Sequence, residues 1–241
     1  MGALLELDEI TKAYGALTVA QNLSLAVAEG EALAVIGPNG AGKSTMFNLI
    51  TGDVAPDKGR VRFAGVDITT KAPHARSRLG IGRSYQIPQP FSDMTVFENL
   101  LVGAIYGGGR TEHDSYEHCA DVLSLTGLLD KANDPARTLT LLQRKRLELA
   151  RALAMRPRLL LLDEIGGGLT EHECQALVET IRAIHAQGTT IVWIEHIVHA
   201  LLSVASRLVV MNFGELIAAG EPRAVMADPR VQEIYMGIPA T

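Results

Sequence analysis

Apolar residues fall along this chain in short blocks whose period changes from two, to none, to nearly four. Leu5, Leu7 and Ile10 open a strand, LSLAV at 23–27 reads as another, and RVRFA at 60–64 alternates like a half-buried one. ALAVI at 32–36 is continuously apolar, the pattern of a strand buried on both faces. KSTMFNLIT then predicts a helix that Gly52 can end, because glycine accepts the left-handed backbone of a helix C-terminus. From about Met94 to Met155 helical spacing dominates, through TVFENLLVGAIY, a polar segment from Gly107, CADVLSLTGLL and QRKRLELARALAM. Strand character returns with RLLLL at 158–162 and alternates with helix thereafter. A helix runs from about Glu171 to Ala186, then come the strand TTIVWI at 189–194, a short helix, and RLVVM at 207–211. ELIAA at 215–219 closes a hairpin through Asn212-Phe213-Gly214. Alternating strands and helices predict an α/β domain with a largely parallel sheet covered on both faces, and the helical middle reads as an insertion into it.

Composition narrows this picture. With 241 residues, 47% of them hydrophobic and 20% charged, the chain is long enough for one domain with a sizeable core. The net charge of -5 gives no electrostatic reason to expect a nucleic-acid partner, and no basic run is long enough to hold a membrane surface. Cys119 and Cys174 lack metal-ligand or CxxC spacing and read as packing residues in a reducing compartment. The start MGALLELDEI carries acids where a signal peptide has bases, so no targeting segment is expected. No stretch approaches the ~18 consecutive apolar residues of a membrane span. Membrane association is therefore expected only through a partner.

The chemistry concentrates in GPNGAGKST at 37–45, which satisfies G-x-x-x-x-G-K-[ST] between a buried strand and a helix. Gly37, Pro38, Asn39, Gly40, Ala41 and Gly42 let the backbone curl so that its N–H groups point at phosphate oxygens, and the helix N-terminus adds partial positive charge. Lys43 is expected to reach the β- and γ-phosphates, Ser44 to offer a hydroxyl to Mg²⁺, and Thr45 to support the phosphate contacts. A glycine-rich turn that binds nothing would not need the strand before it and the helix after it.

LLLLDE at 159–164 is an apolar strand ending in two carboxylates. Asp163 emerges at the strand's C-terminal edge, where ligands sit in open α/β sheets, and can hold Mg²⁺ directly or through water. Glu164 is then placed to act as general base toward the attacking water. A solvated acidic pair is the alternative for any such strand end taken alone. His196 follows the strand TTIVWIE and can donate to a γ-phosphate, although a lone histidine is more often a packed or surface residue.

Phosphate loop, acid pair and histidine, in this order and over essentially the whole chain, resemble the nucleotide-binding domains of ABC transporters. The resemblance implies a P-loop NTPase of the RecA-like type: a mostly parallel sheet with an antiparallel β portion and an inserted α-helical subdomain. Residues 1–241 would form one ABC ATPase domain, with a core of 1–88 and 156–241 and a helical subdomain of about 89–155. It further implies ATP and Mg²⁺ as ligands, Tyr14 in KAYGAL as the aromatic that stacks on adenine, and Gln86 in SYQIPQPF as the hinge glutamine that senses metal and water. Gln89 lies near enough to compete for that last role. The phrases IGPNGAGKSTMFNLITGDVAPDKGRV, TVFENLLVGA and VQEIYMG look most like the ATP-binding subunits of branched-chain amino acid importers. Such a subunit would act as a homo- or heterodimer, peripheral on the cytoplasmic face of the inner (plasma) membrane. It would work with transmembrane permease subunits and, indirectly, a periplasmic or extracellular solute-binding protein.

The departures from the family cluster. Where it carries Leu-Ser-Gly-Gly-Gln, this chain has Leu139-Thr140-Leu141-Leu142-Gln143. In the family this signature caps the ATP of the opposite subunit, so Thr140 and Gln143 are carried over as nucleotide contacts. Leu141 and Leu142 are harmless to the backbone if it is helical there, and costly if it needs φ > 0. Ile165 stands where the family usually has proline, and Gly166-Gly167-Gly168-Leu169-Thr170-Glu171 replaces a less glycine-rich loop. Rival readings are a soluble ABC-type ATPase that moves no solute, a nucleotide-binding switch that scarcely hydrolyses, and a P-loop kinase. Export, as by lipopolysaccharide-type ATPases, is an alternative to import.

Overall fold

The computed structural model describes residues 2–236, so the last residue of the VQEIYMG phrase, Gly237, lies outside the described residues. The chain opens with β1 (Ala3–Tyr14), β2 (Leu17–Ala28), β3 (Ala32–Ile36), α1 (Lys43–Thr51), β4 (Lys58–Phe63) and the two-residue β5 (Val66–Asp67). α2 (Pro73–Arg78) leads into β6 (Ile81–Ser84), α3 (Val96–Val102), α4 (Tyr116–Leu125), α5 (Leu141–Ala154), β7 (Leu159–Asp163) and α6 (Glu171–Ala186). Then follow β8 (Thr190–Ile194), α7 (Val198–Leu202), β9 (Arg207–Asn212), β10 (Glu215–Gly220), α8 (Pro222–Met226) and α9 (Pro229–Met236). These elements form two compact units. One comprises the described residues up to Pro73 and from Thr190 onward, the other His74–Thr189.

In the first unit, β2, β1, β4 and β5 make an antiparallel sheet in that order. Its apolar rows run across the strands: Val27, Leu5 and Phe63 stand in register, as do Leu25, Leu7 and Val61. All six are buried, so the alternation read in the sequence is the inward face of this sheet. β3 lies between β8 and β9 and is parallel to both, while β10 returns antiparallel to β9. Every residue of β3 and β8 is buried, which is why neither alternates.

In the second unit β6 and β7 pair in parallel. β6 is a strand that periodicity misses: it is four residues long and ends in Arg83 and Ser84, both polar. α6 buries Cys174, Leu177, Val178, Ile181 and Ile184, a stripe at spacings of three and four that makes its bounds legible from sequence. Thr170 caps it and Glu173 reaches back, completing a capping box. The helical middle is less continuous than its periodicity suggests, because a π-helical turn over Gly103–Gly107 and short 3-10 turns separate α3, α4 and α5. No helix among the described residues is long and apolar enough to cross a membrane.

Candidate functional site

The phosphate loop belongs to the first unit, between β3 and α1. Its path is fixed by backbone hydrogen bonds: Ala41 N–H to the Pro38 carbonyl (3.1 Å), and Gly214 N–H, from the β9–β10 turn, to the Ala41 carbonyl (3.0 Å). Gln21 N–H donates in turn to the Gly214 carbonyl at 2.9 Å. Glycine is required at two points. A Cβ on Gly37 would stand 2.3 Å from the Met211 carbonyl oxygen, and one on Gly42, whose φ is +98°, 2.4 Å from that of Val19. Gly42 is also the N-cap of α1 and, being glycine, provides no side-chain cap there.

Lys43 is 5% exposed, and its ammonium donates to the carbonyls of Gly37 (2.6 Å) and Pro38 (3.1 Å). Asn39, Gly40 and Ser44 are exposed and Thr45 is half-buried. Tyr14, at the end of β1, is 52% exposed, with the Lys12 ammonium 5.6 Å from its ring centre. Asp57 steadies this strand end. Its carboxylate accepts from the Lys12 ammonium and from Ala13 N–H, both at 2.8 Å, and these bonds hold it below its ordinary pKa, the Lys12 bond foremost. His196 is exposed just beyond β8, and its N–H donates to the carboxylate of buried Glu195 at 3.2 Å.

The second unit brings Gln86, Asp163 and Glu164 together. Asp163 ends β7 and is 5% exposed, and its Oδ2 accepts from Arg83 Nη2 at 2.7 Å. Glu164, next in the chain, has φ of +47°, a left-handed conformation that costs a non-glycine residue on the order of 1 kcal/mol. Its Oε2 accepts from the Gln86 side-chain amide at 2.6 Å. The backbone carbonyl of Gln89 accepts from Arg151 Nη1 at 2.9 Å. The buried α5 residue Lys145 donates to the Gln86 carbonyl at 3.4 Å, so α5 holds the 86–89 segment at two points. Arg151 also lies over the Phe91 ring and pairs with Glu148 at 3.0 Å. Burial pushes the Glu148 carboxyl above its ordinary pKa against the opposing pull of Arg151.

Thr140 is the N-cap of α5. Its N–H donates to Gln143 Oε1 (2.9 Å) and its hydroxyl accepts from Gln143 N–H (3.4 Å), a capping box. Leu141 and Leu142 are therefore the first two helical residues, and their Cβ atoms carry no left-handed penalty. Gly168 has φ of +77°, and a Cβ there would stand 3.3 Å from Leu141 Cδ2. The altered signature and the glycine-rich loop thus meet each other. Ile165 is 2% exposed, a core residue where the family usually has proline.

Within the second unit, the side-chain amide of Gln86 and the carboxylate of Asp163 both offer oxygen donors, the kind a hard divalent cation takes. Sequence reasoning missed Arg83, Lys145 and Asp57. The one signal for Arg83 was a charged residue directly ahead of the Gln86 segment. Lys145 and Asp57 offered none, since their partners lie 59 and 44 or more positions away.

The chain is similar to known proteins in both sequence and fold. The ABC transporter family pattern matches residues 20–166. A high-affinity branched-chain amino acid transport ATP-binding protein, BraF of Pseudomonas aeruginosa, is 35% identical, over 97% of this chain and 98% of that one. The lipopolysaccharide export ATP-binding protein LptB of Acidithiobacillus ferridurans is 32% identical over 98% of each. Among solved structures, the ADP conformation of an ATP-binding cassette of an ABC transporter superposes with TM-score 0.90 at 33% identity, covering 99% of this chain and all 100% of that one.

Proposed function

This chain belongs to the ABC transporter family and is an ATPase subunit of such a transporter, and from that premise we propose that it energises an importer of branched-chain or other hydrophobic amino acids. The phosphate loop carries the reading: a strand–loop–helix with glycines where no Cβ fits, ending in a buried lysine at the N-terminus of α1. The importer class is supported by relatives named for branched-chain amino acid transport in Pseudomonas aeruginosa and Methanocaldococcus jannaschii, 35% and 34% identical.

In this proposal each named residue has one role toward ATP. Backbone N–H groups of 37–45 enclose the phosphates, and Tyr14 stacks on adenine. Lys43 turns its ammonium from the Gly37 and Pro38 carbonyls to the β- and γ-phosphates. Ser44, Gln86 and Asp163 would hold Mg²⁺, which when bound offsets charge developing on the transferred phosphoryl group. Glu164 orients the attacking water and takes its proton. His196 donates to the γ-phosphate. Thr140 and Gln143 serve the nucleotide of a second subunit, in a homo- or heterodimer whose opening and closing follow ATP binding and product release. The domain division proposed is a core of 1–88 and 156–241 around a helical subdomain of about 89–155. Transmembrane permease subunits hold the dimer at the cytoplasmic face of the inner membrane and receive its motion through the segment around Gln86. A solute-binding protein outside supplies the substrate.

The test is a pair of substitutions. Lys43→Ala is expected to lose MgATP affinity in calorimetric titration. Glu164→Gln is expected to keep that affinity while phosphate release falls about 10²- to 10⁴-fold. Wild-type turnover in Glu164→Gln removes Glu164 from its role, and undiminished affinity in Lys43→Ala removes the loop from its own. Lipopolysaccharide-type export remains the second reading, favoured by the 32% identity to LptB. Assay of amino-acid uptake in vesicles carrying the cognate permease separates the two.

A further inference from the structure

We propose that Arg83 is a positioning residue for Asp163, holding Oδ2 of its carboxylate so that Oδ1 meets a divalent cation in one fixed orientation. The inference rests on the assignment of Asp163 to the metal. Arg83 sits on β6, in register with Leu161 of β7, two residues short of Asp163. Its guanidinium reaches along the strand pair to make a charge-assisted bond of 2.7 Å to Asp163. Both side chains are nearly out of solvent, 7% exposed for Arg83 and 8% for Asp163. A carboxylate so buried needs a counter-charge, and taking one partner away leaves the other's desolvation uncompensated.

The guanidinium is itself oriented. It lies over the Tyr85 ring at 4.7 Å, which fixes its plane in a way a lysine ammonium would not reproduce. The same side chain therefore touches the metal carboxylate and the residue preceding Gln86, another proposed ligand. Arg83 cannot bind a metal, because it is a cation with no acceptor. Its contribution must pass through Asp163. Carboxylates that bind metals work best when their second oxygen is held, and losing such a partner costs about 10- to 100-fold in metal affinity.

The experiment measures ADP binding to the intact chain while Mg²⁺ is titrated, for wild type, Arg83→Gln and Arg83→Lys. Circular dichroism and thermal melting confirm that each variant is folded. In Arg83→Gln the Mg²⁺ concentration giving half-maximal ADP binding is expected to rise about tenfold or more, with ADP affinity in EDTA unchanged. Arg83→Lys keeps the charge but loses the fork and the stacking, and is expected to fall between, which decides the matter if the glutamine variant does not fold. A Mg²⁺ midpoint that stays put or drops overturns the inference alone. So does a loss of EDTA-state binding in parallel, which marks a merely structural pair. Wild-type ADP binding that ignores Mg²⁺ overturns the inference together with the metal role of Asp163.

Discussion

Single residues in the phosphate loop face different physical constraints, and three glycines separate them. Gly37 is confined by contact, with no room for a Cβ beside the Met211 carbonyl. Gly42 is confined by contact and by conformation. Gly40 is confined by conformation alone, with φ of +81° and nothing within 4 Å of a Cβ. Alanine at position 40 is thus expected to cost on the order of 1 kcal/mol and little ADP affinity. Alanine at 37 or 42 is expected to cost about 1–3 kcal/mol and to displace the loop, with ADP affinity falling in step. Thermal melting and ADP titration of the three variants check the ranking. An equal cost at all three positions would mean that contact decides nothing here. The sequence motif named these glycines without ranking them, because the Met211 and Val19 carbonyls that set the ranking come from distant strands. Arg83 was obscured for the same reason, its partner lying 80 positions on.

At the scale of elements, β3 and α6 were legible to the residue because burial on both faces and a one-sided stripe each leave a definite pattern. β6 was not, since its polar residues Arg83 and Ser84 are turned into the fold rather than exposed. Three capping boxes, Thr95–Glu98, Thr140–Gln143 and Thr170–Glu173, set the starts of α3, α5 and α6. Two of them are titratable. The backbone N–H of Thr170, and then its hydroxyl, hold the Glu173 carboxylate below its ordinary value of 4.5. A folded-state pKa below the unfolded one stabilises the fold above the unfolded value, and that part is lost as pH falls through the folded one. The advantage of wild type over Glu173→Gln should therefore be full at pH 6 and shrink on acidification below about 4.5. Denaturant titrations of both proteins at pH 6 and pH 3 measure it, and an advantage unchanged at pH 3 refutes the assignment. Thr140–Gln143 has no charge to lose, so the start of α5 should be indifferent to the same acidification.

For the molecule as a whole, the family was legible in the sequence because phosphate loop, acid pair and strand–helix order each survive in one dimension. The transported solute was not, because each motif read in the chain answers to nucleotide chemistry rather than to a solute. The packing of the second unit has a direct readout in the two thiols, both buried and both within 74–189. Burial pushes the Cys119 thiol up to about 11, so little thiolate exists at pH 8. Iodoacetamide at pH 8 is expected to leave both cysteines unlabelled in the native protein and to label both in denaturant, counted by mass spectrometry. Labelling of Cys119 on the native timescale would show its surroundings opening far more readily than the packing implies.

The ammonium of Lys43 already occupies two oxygen acceptors of its own loop, the carbonyls of Gly37 and Pro38. Arrival of a polyphosphate is on this account a swap of acceptors rather than a gain of them. What titration reports is the margin by which phosphate oxygens outcompete peptide oxygens for one cation, so a modest affinity would testify to the strength of the incumbents as much as to any weakness in the newcomer.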